Sequence, residues 1–261
     1  MSYTSLSLTL IFVLIPLILS KTLKLGLERD TIIATVRSVV QLLAVGYLLH
    51  FIFESESMLY MVLMISLIIL AATLNARKKG ENIRGITWKL IITFMTVEAV
   101  VMGVLLGLQI MPATPNYIIP ISGMMIGNSM VLSILFLNRF KSEVEANEHL
   151  IELILSLGGT PKQAIHQQLM NAIKASMIPT IESQKTIGLV QLPGIMSGQI
   201  IGGSSPIEAV QFQILIIFAL LTCATLSSTI LGFLVYPTLF NNRMQKIKMG
   251  EIKAAVRNLR K

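Results

Sequence analysis

No charged side chain occurs in residues 209–236. That run constrains the fold more than any other feature. A helix rises about 1.5 Å per residue and needs about 20 apolar residues to cross a bilayer. Comparable runs recur along the chain. Seven spans are expected, at 4–20, 31–53, 58–74, 88–110, 117–137, 186–201 and 207–236. Across 261 residues, 54% are hydrophobic and 13% charged, with mean hydropathy +0.76. A soluble domain carries about 25% charged residues. The expected class is all-α: a polytopic membrane helix bundle of about seven spans, forming one domain over 1–261.

The connections alternate in charge. Lys21, Lys24 and Arg29 follow the first span, and Arg77, Lys78, Lys79, Arg84 and Lys89 follow the third. Arg139, Lys141, Lys162, Lys174 and Lys185 follow the fifth. The tail at 237–261 adds Arg243, Lys246, Lys248, Lys253, Arg257, Arg260 and Lys261. These groups hold 20 of the 21 Lys and Arg. Segments 54–57, 111–116 and 202–208 hold none. Positive loops stay cytoplasmic, so the N-terminus is expected outside and the C-terminus inside. Topology then explains the net charge of +8 without nucleic acid. The basic tail is suited to anionic lipid at the inner leaflet. The N-terminal apolar run lacks a basic n-region and an A-x-A site, so it reads as a span, not a cleaved signal. A single cysteine, Cys223, rules out an internal disulfide.

Few polar groups fall within the spans. Arg37 lies about 10 Å deep and Glu98 about 15 Å deep from the same side. A lone charge at such depth costs at least about 2.5 kcal/mol and faces the bundle or a cavity. Opposite signs suggest a pair that fixes register, or a carboxylate that carries a cation. Gln41 shares a helix face with Arg37. Met124 and Asn128 lie within residues 120–130, where Gly123 and Gly127 form a G-x-x-x-G spacing suited to close helix approach. Met124, Met125 and Met130 offer thioethers to a soft metal, although gap-filling is the commoner role of methionine. No metal-ligand set is fixed by the sequence. His50, His149 and His166 are scattered, and no nucleophile–His order suggests an enzyme.

Residues 186–201 hold no clean apolar run. Gln191, Pro193, Gly194 and Gly198 interrupt them, and Pro179, Glu182 and Lys185 precede them. Irregular backbone at membrane depth needs protein or a water-filled cavity around it. Pro193 and Gly194 form a candidate hinge. Thr180, Ser183, Lys185, Thr186 and Gln191 form an expected polar lining toward the cytoplasm, with Met196 in the gate. The alternative is a bent packing helix.

Residues 151–164 read IELILSLGGTPKQA. Helical spacing over 141–157 puts Glu145, Glu148 and Glu152 on one face and Val144, Ile151 and Leu155 on another. Gly158 and Gly159 permit a turn. Thr160, Pro161 and Gln163 match a capping box with proline at the first helical position. The expectation is helix, sharp break and short helix within a cytoplasmic region at 138–184. Such an elbow serves either as a surface connector or as a docking element.

This stretch resembles the cytoplasmic coupling motif of ABC-transporter permeases, through Glu152, Leu157, Gly158, Gly159, Thr160, Pro161, Ala164 and Pro179. Leu153 and Ile154 replace the motif's usual Ala-Ala. Almost the whole chain is similar to the FetB-type permease family, linked to iron export, with plant relatives linked to aluminium tolerance. The carrying stretches are LERD (27–30), VRSVVQLLAVGY (36–47), LNARKK (74–79), PISGMMIGNSM (120–130), LGGTPKQA (157–164) and IPTIESQKTIGLVQLPGIMSGQI (178–200). The resemblance implies a homodimeric permease in the plasma or inner membrane, working with a separate ATPase. The sequence has no G-x-x-x-x-G-K-[ST] motif, so ATP and Mg are expected on that partner and no cofactor on this chain. Arg37, Gln41, Glu98, Met124 and Asn128 are the expected path residues for a metal ion. The competing readings are a permease for a nucleotide sugar or lipid, a non-transporting adaptor for the ATPase, and an ATP-independent channel.

Overall fold

The computed structural model describes residues 9, 11–55, 58–81 and 83–241. The predicted tail beyond residue 241, and residues 4–8 and 10 of the predicted first span, lie outside these. Contacts divide the chain into two units, Met1–Ser57 and Met58–Lys261. Each is described by itself.

The first unit holds α1 (Ile11–Thr22) and α2 (Glu28–Ser55). Pro16 sits inside α1. The link between them turns through Lys24 and Gly26, with φ of 53° and 71°. Ser20 fastens this turn. Its Oγ donates to Glu28 Oε1 at 2.8 Å and accepts from Leu27 N–H at 3.2 Å.

The second unit holds α3 (Met58–Ala76), α4 (Ile86–Gly107), α5 (Pro115–Ala146), α6 (Glu148–Ser156), α7 (Pro161–Thr186), α8 (Gly194–Ile201) and α9 (Pro206–Val235). A 3₁₀ turn, Tyr236–Leu239, follows. Five helices are long and apolar enough to cross a membrane: α2, α3, α4, α5 and α9. They coincide with five of the predicted spans. The central member is α5, which packs on α3, α4, α7 and α9.

The sixth predicted span takes a different form. Residues 186–201 are a turn followed by the eight-residue α8. Eight residues reach only about 12 Å, too short to cross. The turn closes on Gly188 at φ 86°, with Gly188 N–H donating to Gln191 O at 3.0 Å.

Just before this turn, α7 runs alongside α9. Ser176 Oγ meets Ser228 Oγ at 2.8 Å, and Gln184 Nε2 donates to Ile217 O at 3.0 Å. Rising numbers on α7 thus meet falling numbers on α9, so the two helices are antiparallel. Near the start of α7, Asn171 Nδ2 donates to Glu143 Oε2 of α5 at 3.3 Å. The helix expected to be short has 26 residues and lies along α5 and α9. The region read as cytoplasmic at 138–184 thus includes a long helix that packs on α5 and α9 from Pro161 onward. Its buried stripe, Ala164, Ile165, Gln168, Leu169, Ala172, Ile173 and Ser176, explains how a polar helix lodges there.

Gly232 sets the α5–α7–α9 distance. A Cβ there would stand 3.0 Å from Leu169 Cδ1 and 3.2 Å from Phe136 Cζ. Overpacked core substitutions cost about 1–3 kcal/mol. Gly232→Val is expected to lower the thermal midpoint of the purified chain in detergent, whereas Gly46→Val, with open space around it, is expected to lower it less. The Gly123 and Gly127 spacing is not used for close approach within this unit. Gly123 would meet only Ile68 Cδ1 at 4.0 Å, and Gly127 nothing within 4 Å.

Candidate functional site

Two regions of the second unit combine unusual chemistry with defined geometry. The first is the elbow. The long helix expected over 141–157 is interrupted at Asn147, whose Nδ2 donates to Glu143 O at 2.9 Å. Asn147 caps α6, so Glu145 lies on a different helix from Glu148 and Glu152. The apolar face holds as expected: Val144 and Ile151 are buried in the core, with Leu155 packed against it.

After α6 the chain turns at Gly158, with φ of 86°. Gly159 has its own constraint, since a Cβ there would stand 2.8 Å from Ile154 O. The capping box predicted from Thr160 and Gln163 is present. Gln163 N–H donates to Thr160 Oγ1 at 3.3 Å, and Thr160 N–H donates to Gln163 Oε1 at 2.8 Å. Pro161 occupies the first position of α7, and Ala164 is buried one turn on. Glu152 is exposed, as are Leu150, Leu153 and Leu157. Leu157 is 79% exposed. The elbow thus presents leucines outward from a backbone that is held rigidly.

The elbow end also gathers basic residues. Lys89 Nζ donates to Leu234 O at 2.5 Å, so the start of α4 and the end of α9 share this end. Arg77, Lys78, Lys79 and Arg84 lie just before α4, and Arg139, Lys141 and Lys162 lie around the elbow. Lys174 and Lys185 are the exceptions: Lys174 lies midway along α7, and Lys185 sits at its far end and pairs with Glu182 at 2.6 Å. The lining expected to face the cytoplasm, Thr180, Ser183, Lys185, Thr186 and Gln191, therefore lies at the end remote from the elbow. Pro193, Gly194 and Met196 are there too, in and just after the turn before α8. The exposed tip of that turn is Leu189 and Val190.

The second region is a buried polar set where α4, α5 and α9 meet. Glu98 is 7% exposed, and neither carboxylate oxygen has a hydrogen-bond partner within this unit. Ser122 Oγ, on α5, is likewise buried without a hydrogen-bond partner within this unit. The Cys223 thiol lies 3.4 Å from Met125 Sδ. Val97 and Val101, on either side of Glu98, pack in one buried cluster with Met125 and Cys223. Ser122, Met125, Ser129 and Cys223 are all fully buried. By helical rise, Glu98 and Cys223 each lie about 18 Å from the elbow ends of their helices, near the middle of the bundle.

Above this set a cleft of about 640 Å³ opens between α4 and α9. Its lining includes Glu208 and Gln211 at the start of α9 and the buried Val101 and Ala219. Val101 is three residues from Glu98 and Ala219 four from Cys223, one helical turn in each case.

The predicted path residues fall in both units. Glu98 belongs to the buried set. Met124 and Asn128 are half-buried on the adjoining face of α5, where Asn128 Nδ2 is buried without a partner. Arg37 and Gln41 share one face of α2 in the first unit. Sequence reasoning missed Met125, Cys223, Ser122 and Ser129 as members of one set. The spacing 122, 125, 129 was the available signal, since it marks one helix face. Among the described residues no three His, Cys, Asp or Glu side chains gather as a metal cluster.

Comparison with known proteins gives a consistent assignment. The model of the uncharacterised protein family UPF0014 matches residues 3–240. The chain is 54% identical to UPF0014 membrane protein YjkA of Bacillus subtilis, over 96% of this chain and all of that protein. It is 37% identical to the Escherichia coli protein named "Probable iron export permease protein FetB", over 93% of this chain and 94% of that one. It is 34% identical to Protein ALUMINUM SENSITIVE 3 of Arabidopsis thaliana, over 90% and 86%. No solved structure matches. This multi-pass membrane protein belongs to the UPF0014 family.

Proposed function

We propose that this chain is the membrane-spanning permease of an ABC-type transporter that exports a metal ion. A separate ATPase hydrolyses ATP with Mg and drives the cycle. The observation that carries this reading is the elbow. Its reciprocal cap bonds and its two glycines fix the backbone, and its leucines point away from the chain's own core. Exposed leucines on a rigid element are the chemistry of a docked helix. Because α7 starts at the elbow and runs along α5 and α9, force applied there reaches the bundle interior through one helix. A rigid docked element joined to packed helices is what two-state gating requires.

The basic residues at the elbow end support a cytoplasmic position, with the N-terminus outside and the C-terminus inside. A homodimer with two ATPases is the assembly this reading implies. The buried, unpartnered carboxylate supports a cationic substrate over a nucleotide sugar. The relative named for iron export makes iron the first ion to try. The turn at 187–193 and α8 serve as the gate at the far end. The test is co-expression with a tagged ATPase of the ABC class. The expected result is a complex that survives purification and moves Fe²⁺ only with ATP. A chain that never associates with an ATPase overturns the reading.

A further inference from the structure

We infer that Glu98, Met125 and Cys223 form the binding site for the transported ion, a borderline divalent transition metal. The inference rests on the transport reading above and names the residues and metal class that it leaves open. Three observations carry it. The only cysteine of the chain has its thiol 3.4 Å from a buried thioether. Two sulfurs bound to one ion at about 2.3 Å each stand about 3.3–3.8 Å apart for ligand angles of about 90–110°. The observed spacing falls in that range.

The second observation is the carboxylate. Glu98 is more than nine-tenths buried and has no hydrogen-bond partner for either oxygen within its unit, and its helix neighbours Val97 and Val101 pack in one buried cluster with Met125 and Cys223. A buried charge without a partner is destabilising, so an arriving cation satisfies it. Together, a carboxylate and a thiolate neutralise a divalent ion. Ser122 and Ser129 hydroxyls are buried without partners beside them and complete an oxygen–sulfur donor set. The third observation is access. The cleft between α4 and α9 is lined by Val101 and Ala219, one helical turn along their helices from Glu98 and Cys223, and also by Glu208.

The donor set selects the metal. Thiolate and thioether suit Cu⁺, Zn²⁺ and iron, and the added carboxylate charge favours a divalent ion over Cu⁺, whereas Mg²⁺ and Ca²⁺ prefer oxygen ligands alone. Aluminium, a harder ion still, is expected to bind poorly to sulfur.

Co²⁺ titration of the full purified chain in detergent tests the site. The expected result is one Co²⁺ per chain with a thiolate-to-metal absorption band. Since Cys223 is the only cysteine, that band has a single origin. Cys223→Ser abolishes the band, Glu98→Gln and Met125→Leu weaken binding at least about tenfold, and Fe²⁺ competes while Mg²⁺ does not. Met102→Leu, a core substitution on α4, leaves binding unchanged. If Glu98→Gln fails to fold, Cys223→Ser and Met125→Leu decide alone. Absence of the band in the parent chain, or full-affinity binding in Cys223→Ser, overturns the site. ATP-driven Fe²⁺ flux that persists at parent affinity in Cys223→Ser removes the site but keeps the transporter. Binding with no ATP-driven flux keeps the site and removes the transporter.

Discussion

Glu98→Gln will transport metal at about a tenth of the parent rate or less, while the purified variant will be at least as stable as the parent. The two halves of this result belong together. Glutamine keeps the shape of the side chain and removes only its charge. The carboxylate is buried in the middle of the bundle with no hydrogen-bond partner in its unit. A charge at membrane depth costs about 2.5 kcal/mol or more. If Glu98 served the fold, the substitution would lower the thermal midpoint and leave flux alone. If it serves the substrate, stability holds and flux falls. Flux per chain and thermal midpoint, measured on the same preparation, separate these cases. Parent-like flux at unchanged substrate affinity would remove Glu98 from the path.

Leu157→Asp is expected to break association with the ATPase while the chain itself folds normally. Leu157 is 79% exposed at the end of α6, so it contributes little to the core. Surface substitutions of this kind usually change stability by within about 0.5 kcal/mol. An apolar anchor buried at an interface is worth about 2 kcal/mol or more, which corresponds to roughly thirtyfold in affinity. Gly159→Val tests the same element from the backbone side. Its Cβ would stand 2.8 Å from Ile154 O, so the elbow must distort before it can dock. Both variants should lose ATPase in a pull-down, and Leu157→Asp should keep the parent's thermal midpoint. Retention of the ATPase by both would return the elbow to the role of a connector.

Much of the fold was legible because its causes are local. An apolar run long enough to cross declares itself in α2, α3, α4, α5 and α9. The capping box at Thr160 and Gln163 follows from residues three apart. What composition hid was α7. Its average polarity suggested a cytoplasmic segment, yet the stripe from Ala164 to Ser176 is buried by α5 and α9. A polar helix can share the depth of apolar ones when neighbours cover its apolar stripe, and average hydropathy is blind to that. The break at 186–201 was visible, but its partner was not. That partner is α7, which leads directly into the turn and is followed by the short α8.

The candidate site shows the same division. Glu98 was legible as a lone charge in an apolar run. The choice between Met124 and Met125 was not. Neighbouring residues differ by about 100° around a helix, and only the packing of α5 on α4 and α9 turns Met125 inward. Cys223 lies 98 positions away in sequence. No spacing rule joins them. Within α5 the positions 122, 125 and 129 do share a face, so half of the set had a readable signature.

The most direct test of the central claim is metal movement in proteoliposomes that hold this chain with its ATPase. Inside-out vesicles loaded with a metal-quenched dye would report entry of Fe²⁺ on addition of ATP and Mg. The account predicts Fe²⁺ entry that requires both the ATPase and hydrolysable ATP, and that falls with Glu98→Gln and with Leu157→Asp for different reasons. Equal Fe²⁺ entry without ATP, or none in any condition while a nucleotide sugar or lipid is moved, would contradict it.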